Sequence, residues 1–204
     1  MQYLLGGKGM AVRHRAETME ENRKKIIKAA RKTFAEKGFA AASMDELTAS
    51  VGLTRGALYH QFGDKKGLLA AVVAQMDSEM AQQAKAAAAD TSDDWEKLLA
   101  EGRAYIKMAL NPEVCRIVLL DGPAFLGNPA QWPSQNSCLE STRQTLTTLI
   151  EKNIVKAVDV EAAAQLLNSA ALNAALCIAA SDNPQQTLPK VLDVFEHLAS
   201  GLRC

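Results

Sequence analysis

The sequence predicts an all-α protein, with a small N-terminal three-helix helix-turn-helix domain and a larger C-terminal helical body. Three observations carry this. Of the 204 residues 48% are hydrophobic but only 5% aromatic, a composition that packs helices on alanine and leucine rather than large rings. Apolar positions recur at spacings of three and four along much of the chain. Residues 43–66, SMDELTASVGLTRGALYHQFGDKK, hold two short helices, a glycine turn and the start of a third, each with its own cap.

Charge divides the chain in two. Lys/Arg and Asp/Glu are equal at 23 each, yet residues 1–75 hold 13 against 7 and residues 76–204 hold 10 against 16. A basic head on an acidic body implies that the head alone meets a polyanion. The four cysteines (115, 138, 177 and 204) lack the short spacings of a zinc or redox motif, and the three histidines are scattered, so neither metal nor cofactor is expected. A reducing cytoplasm fits free thiols. The apolar start, MQYLL, is too short for a secretory signal. Residues 162–180 approach the length of a membrane span, but Gln165, Asn168, Ser169 and Asn173 interrupt them; a buried helix is expected, and no membrane partner.

In chain order, residues 1–20 read as a weakly ordered arm, whose Arg13, His14 and Arg15 would suit phosphates or a minor groove. A helix follows over residues 21–37, with Ile26, Ala29, Ala30, Thr33 and Phe34 on one stripe and Gly38 as its end. Ser43 and Glu46 form a capping box. Gly52 stands where a helix must end at positive φ, which glycine adopts without penalty. Thr54 caps the next helix, Gly63 ends it and Asp64 caps the one after. The step from Gly52 to Thr54 leaves no room for a loop, so the helices cross steeply, as they do when a recognition helix is presented to the major groove.

Spacing separates packing from reading. Leu47, Val51, Leu53, Leu58 and Phe62 are the inward set; Arg55, Gly56, Tyr59 and His60 take the opposite face. A glycine within a helix costs roughly 1 kcal/mol relative to alanine, so Gly56 asks for a reason, and close approach to DNA supplies one. Tyr59 offers a hydroxyl to a phosphate, and Arg55 either forks onto a guanine edge or grips a phosphate. Lys65, at a helix N-terminus, adds its charge to free backbone amides.

These residues resemble the N-terminal domain of the TetR family of bacterial transcriptional regulators over residues 22–70. One motif element falls on Ala29, Ala30, Phe34 and Gly38, the other on Gly52, Gly56, Leu58, Tyr59, Phe62 and Lys65. The resemblance implies that Thr54, Arg55, Tyr59 and His60 touch double-stranded DNA and that Lys65 meets a phosphate. Ala42 stands where the family often has threonine, which moves the hydroxyl contact to Ser43; Thr48 and Gln61 also depart from common residues.

Beyond Lys65 a helix is expected to about residue 89, then helices over 95–110, from Pro112 to about 120, over 138–155, from Asp159 to about 180, and a last one bearing Leu188, Val191, Leu192, Phe195, Leu198 and Leu202. Residues 122–137, with three prolines and two glycines, form the longest irregular stretch. The expected organisation is an arm at 1–20, a DNA-binding domain at 21–66 and an effector-binding and dimerisation domain at 67–204. By the resemblance the last two helices build a four-helix bundle between two subunits, with Leu166, Leu172, Leu176, Val191, Phe195 and Leu198 at the interface. A two-fold homodimer then calls for a roughly palindromic operator. Trp95, Tyr105, Met108, Phe125 and Trp132 gather around the irregular stretch and are the expected lining of a pocket for a mainly apolar small-molecule effector. No nucleophile–base grouping or phosphate loop appears, so no enzymatic activity is expected. The expected protein is a regulator, most often a repressor in this family, released from DNA by its effector. The alternative is an effector-independent DNA binder of the same fold.

Overall fold

The computed structural model describes the backbone of residues 6–204, and side chains from Glu17 onward, Ser137 aside. Contacts divide the chain into Met1–Val72 and Val73–Cys204. Among the described residues the secondary structure is helical, apart from an isolated antiparallel bridge between Val155 and Arg203.

In the first unit, α1 spans Gly6–Ala41 and bends at Gly38, whose φ of 77° breaks the helical path. The helix therefore begins far ahead of residue 21 and takes in residues 6–20 of the expected arm, while residues 1–5 lie outside the described residues. Residues 10–20, MAVRHRAETME, contain neither proline nor glycine, and adding turns to an existing helix costs far less than nucleating one. Ile26, Ala30 and Phe34 are wholly buried, as the stripe predicts, and Ile27 joins them. Phe39, just past the bend, lies 5.6 Å from the Phe34 ring.

α2 (Met44–Ser50) and α3 (Arg55–Phe62) follow, each capped as expected: Ser43 Oγ accepts from Glu46 N–H, and Thr54 Oγ1 accepts from Ala57 N–H. The capping box closes on one side only, because the Glu46 carboxylate takes the Lys37 ammonium at 2.7 Å. Gly52 has φ 66° and opens the short turn. α4 (Lys65–Ala87) starts at once, with Asp64 Oδ1 accepting from Gly67 N–H at 2.7 Å. The division between the two units falls inside α4.

The second unit contains the rest of α4, then α5 (Asp94–Lys107), α6 (Pro112–Val114), α7 (Gly122–Leu126), α8 (Gln135–Glu151), α9 (Val160–Ala179) and α10 (Pro184–Ser200). Residues 122–137 are less irregular than expected. They hold α7, a 3-10 turn at Pro129–Gln131 and the first turn of α8, since a proline in the first turn of a helix loses no hydrogen bond there. A π-helical turn, Cys115–Asp121, joins α6 to α7. Arg116 Nε lies 3.3 Å from Asp121 Oδ2, and their separation of five is the spacing a π turn brings into line.

α9 is the centre of this unit, packed against α5, α8 and α10. Its buried positions are largely small, Ala163, Ala164, Ala171, Ala174 and Ala175, which lets three helices approach closely. It is long and apolar enough to cross a membrane by length and composition alone. Its Asn168, however, bonds to Thr142 of α8 at 2.9 Å. Ion pairs tie the helices together at their edges: Arg103 of α5 with Glu196 of α10 at 3.1 Å, Arg143 of α8 with Glu161 of α9 at 3.1 Å, and Lys152, just past the end of α8, with Asp94 of α5.

Candidate nucleic-acid interface and body cavity

α3 is short, and its sequence allots its faces. Leu58 and Phe62, four apart, are buried against the rest of the head, and the Arg23 guanidinium covers the Phe62 ring at 4.9 Å. Arg55, Gly56, Tyr59 and His60 are all exposed, Tyr59 at 39%. A Cβ placed on Gly56 would meet nothing nearer than Thr54 Oγ1 at 4.0 Å. Packing within the chain therefore gives no reason for glycine at this position.

The exposed face is ordered by its own contacts. Arg55 Nη1 lies 3.2 Å from Asp45 Oδ1 at the start of α2, while Nη2 donates to the Tyr59 hydroxyl at 3.4 Å. The guanidinium also lies over the Tyr59 ring, 5.5 Å from its centre. The bond to Tyr59, and then the charge of Asp45, raise the guanidinium's already high pKa, so Arg55 stays cationic. Any polyanion must exchange Asp45 for itself, and both partners of this pair are exposed, which makes that exchange cheap.

Lys65 is placed differently from the expectation. Its ammonium donates to the Ala40 carbonyl at 3.1 Å and lies 4.6 Å from the Phe39 ring centre. It caps a carbonyl at the end of α1, a role that a cation near helical carbonyls fills well. Of the departures from common family residues, none faces outward with Tyr59. Ala42 and Thr48 are buried, Thr48 bonding to Met44 and Asp45 carbonyls. Gln61 donates to the Met19 carbonyl at 3.4 Å. Gly67 went unremarked in the sequence, yet a Cβ there would lie 1.9 Å from the Phe62 carbonyl oxygen. The end of α3 can lie against the start of α4 only because that side chain is absent.

The second unit holds a cavity of about 150 Å³. Its apolar wall comes from Ala81 and Ala84 of α4, Leu98 and Leu99 of α5, and Leu167 and Ala171 of α9. Lys85, Glu101, Tyr105, Gln135 and Cys138 supply much of its polar lining. Among the five aromatic and methionine residues expected to line a pocket, only Tyr105 does so. Trp95 sits in a core with Leu99, Leu146 and Leu149, under the Arg203 guanidinium. Trp132 is buried over Gly122, where a Cβ would meet its ring at 2.6 Å. Met108 and Phe125, both half-buried, belong to the turns on either side of the π segment. Residues 122–137 fold into compact turns that enclose Trp132, and from that stretch it is Gln135 that reaches the cavity.

Two cavity residues could not be found from spacing. Gly102 lets the Phe195 ring lie against α5, where a Cβ would come within 2.6 Å of it. Phe195 accordingly faces the cavity and is buried, not part of an outward surface as expected. Leu166 and Leu198 do face outward, 72% and 63% exposed, and Val194 joins them at 55%; Leu172, Leu176 and Val191 are half-buried.

Asp77 of α4 is 3% exposed and accepts from the Ser134 hydroxyl and from Nε2 of the cavity residue Gln135 at 3.3 Å. Burial raises its carboxyl above the ordinary range, against those two bonds. Burial likewise raises the Tyr105 phenol, aided by the nearby Asp77 charge, and raises the Glu101 carboxyl against the pull of Lys85.

A three-helix head that exposes one face of its capped third helix, followed by a helical body with its own cavity, defines the class: a helix-turn-helix transcriptional regulator with a separate C-terminal domain. Residues 26–72 match the family described as bacterial regulatory proteins, tetR family, and residues 95–202 match the tetracyclin repressor-like C-terminal domain. The chain belongs to the TetR family of bacterial transcriptional regulators. It is 44% identical to a TetR-family transcriptional regulator from Pectobacterium atrosepticum whose crystal structure superposes with a TM-score of 0.84, covering 92% of this chain and 96% of that one. It is 27% identical over 177 residues to the HTH-type transcriptional repressor AcnR of Corynebacterium glutamicum, covering 86% of this chain and 90% of AcnR. The fold is also that of FadR from Bacillus subtilis in complex with stearoyl-CoA, with a TM-score of 0.68 and 19% identity over 88% of this chain and 99% of that one.

Proposed function

We propose that the protein is a homodimeric repressor that binds a roughly palindromic operator through α3 and leaves it when a small molecule fills the body cavity. The observation that carries the DNA-binding half is the exposed face of α3. Arg55, Tyr59 and His60 stand in solvent on a helix fixed by Thr54 and anchored by Leu58 and Phe62, with Gly56 between them having no packing partner to explain it. Ser43 and Thr54 stand ready for phosphates at the two helix starts. Lys65 is the weakest member of the set, since its ammonium is already engaged. AcnR, similar over most of the chain, is a repressor, which favours repression and a place in the cytoplasm beside the chromosome.

Dimerisation rests on Leu166, Val194 and Leu198, exposed apolar side chains on α9 and α10, with Leu172, Leu176 and Val191 behind them. Effector control rests on the cavity, and FadR, of the same fold, binds stearoyl-CoA. The reading without an effector draws its support from size: about 150 Å³ lies below the roughly 300–1,000 Å³ of drug-sized sites.

The test of the DNA half begins by selecting an operator from a random duplex pool. Tyr59→Ala should then abolish gel-shift binding while sedimentation still reports a dimer. Unchanged affinity would sink the assignment of α3 as the reading helix.

A further inference from the structure

We propose that the body cavity takes an uncharged, single-ring molecule bearing one carbonyl or hydroxyl oxygen, held by Tyr105 and Asn168. This rests on the effector reading and narrows it to a chemical class. Volume sets the first limit: about 150 Å³ is the size of an apolar cavity that holds one benzene ring. Long acyl chains do not fit without rearrangement of the walls.

Charge sets the second limit. Lys85 and Glu101 both line the cavity, so a ligand anion attracted by one meets the other, and a cation fares no better. A neutral molecule pays for neither. Hydrogen bonding sets the third. The Tyr105 hydroxyl has no hydrogen-bond partner among the described residues, although its ring is packed in the cavity wall. Thr142 Oγ1 shares its one proton between the Cys138 carbonyl at 3.0 Å and Asn168 Oδ1 at 2.9 Å, which leaves the Asn168 Nδ2 donors for a ligand. Two donors beside an apolar wall call for an oxygen acceptor on a flat, apolar body. Gln135 is held by Asp77 and is not needed.

The wall opposite is set by Gly102. With Phe195 ring atoms 2.6 Å from where a Cβ would lie, Gly102→Ala must displace the ring, and both residues line the cavity. This gives a second, independent handle on the same space.

The experiment titrates full-length protein with acetophenone by calorimetry, with benzoate and palmitoyl-CoA as comparison probes. Expected are saturable binding of acetophenone, one per subunit, and benzoate at least about tenfold weaker. Tyr105→Phe, nearly isosteric, should weaken acetophenone about fivefold to tenfold. Gly102→Ala should weaken it at least as much, provided circular dichroism shows the helical fold intact. No saturable acetophenone binding, equal affinity for benzoate, or full affinity in Tyr105→Phe would each overturn the proposal. Binding of palmitoyl-CoA alone would overturn the ligand class but leave effector control standing. Failure of the regulator reading itself would show separately, as wild-type protein from the same preparation retaining no DNA from the random pool.

Discussion

Gly56 and Asp77 each run against the packing logic around them. Gly56 lies in a helix with open space where a side chain would stand, so the free protein gives up helix stability at that position. Gly56→Ala should raise the melting temperature, by about 0.4–1 kcal/mol of stability, and at the same time weaken operator binding. A variant that gained stability and kept full affinity would remove DNA approach as the reason for the glycine. Arg55→Ala should cost about 1–3 kcal/mol of operator affinity, with flattened sequence preference only if Arg55 reads a base, as measured by titration against single-base operator variants. For Asp77, burial raises the carboxyl, so the folded state holds its proton more tightly than the unfolded chain does. That contribution to stability is complete below the ordinary carboxylate range and is lost as pH rises through the raised value. Asp77→Asn keeps an acceptor for Ser134 and Gln135 without the charge. It should melt above wild type at about pH 7, with the gap closing toward about pH 4, as followed by thermal denaturation across that range.

At the scale of elements, the helix-turn-helix depends on two glycines that act by different means. Gly52 supplies a φ of 66° in open space, so Gly52→Ala carries only the backbone penalty, about 1–2 kcal/mol. Gly67 supplies an absence: its Cβ would lie 1.9 Å from a backbone oxygen, which no rotamer change relieves. Gly67→Ala should therefore destabilise the fold more than Gly52→Ala, by about 1–3 kcal/mol with displacement of the α3 end, and equilibrium denaturation of the two variants gives the order. Much of this element was legible in the sequence. Caps and positive-φ glycines act within three or four residues, and Ser43, Gly52, Thr54, Gly63 and Asp64 all sit where their residue types place them. Gly67 was not legible, because what excludes a side chain there is a carbonyl from the preceding helix.

For the whole molecule, the charge asymmetry between head and body and the apolar side chains left on α9 and α10 point to a protein that acts in pairs on a polyanion. Leu166→Asp together with Leu198→Asp should give a monomer in sedimentation and reduce operator affinity steeply, while circular dichroism stays helical. A persisting dimer would move the interface elsewhere. Phe195, which shares the stripe of α10 with Leu198, belongs to the interior instead. Its ring turns toward α5 because Gly102 makes room, and a periodic pattern gives no means of telling an inward apolar residue from an outward one when both faces of a helix are apolar.

The sequence by itself determined the class of fold and the outward face of α3, since both follow from periodicity and from capping chemistry confined to neighbouring residues, and its motif residues carried the resemblance to the family. The tertiary structure alone decided where the cavity lies and what lines it. Tyr105, Asn168, Gly102 and Phe195 come from three helices and meet only when those helices pack, while Trp95 fills the core beside Leu146 and Leu149 and Trp132 packs over Gly122.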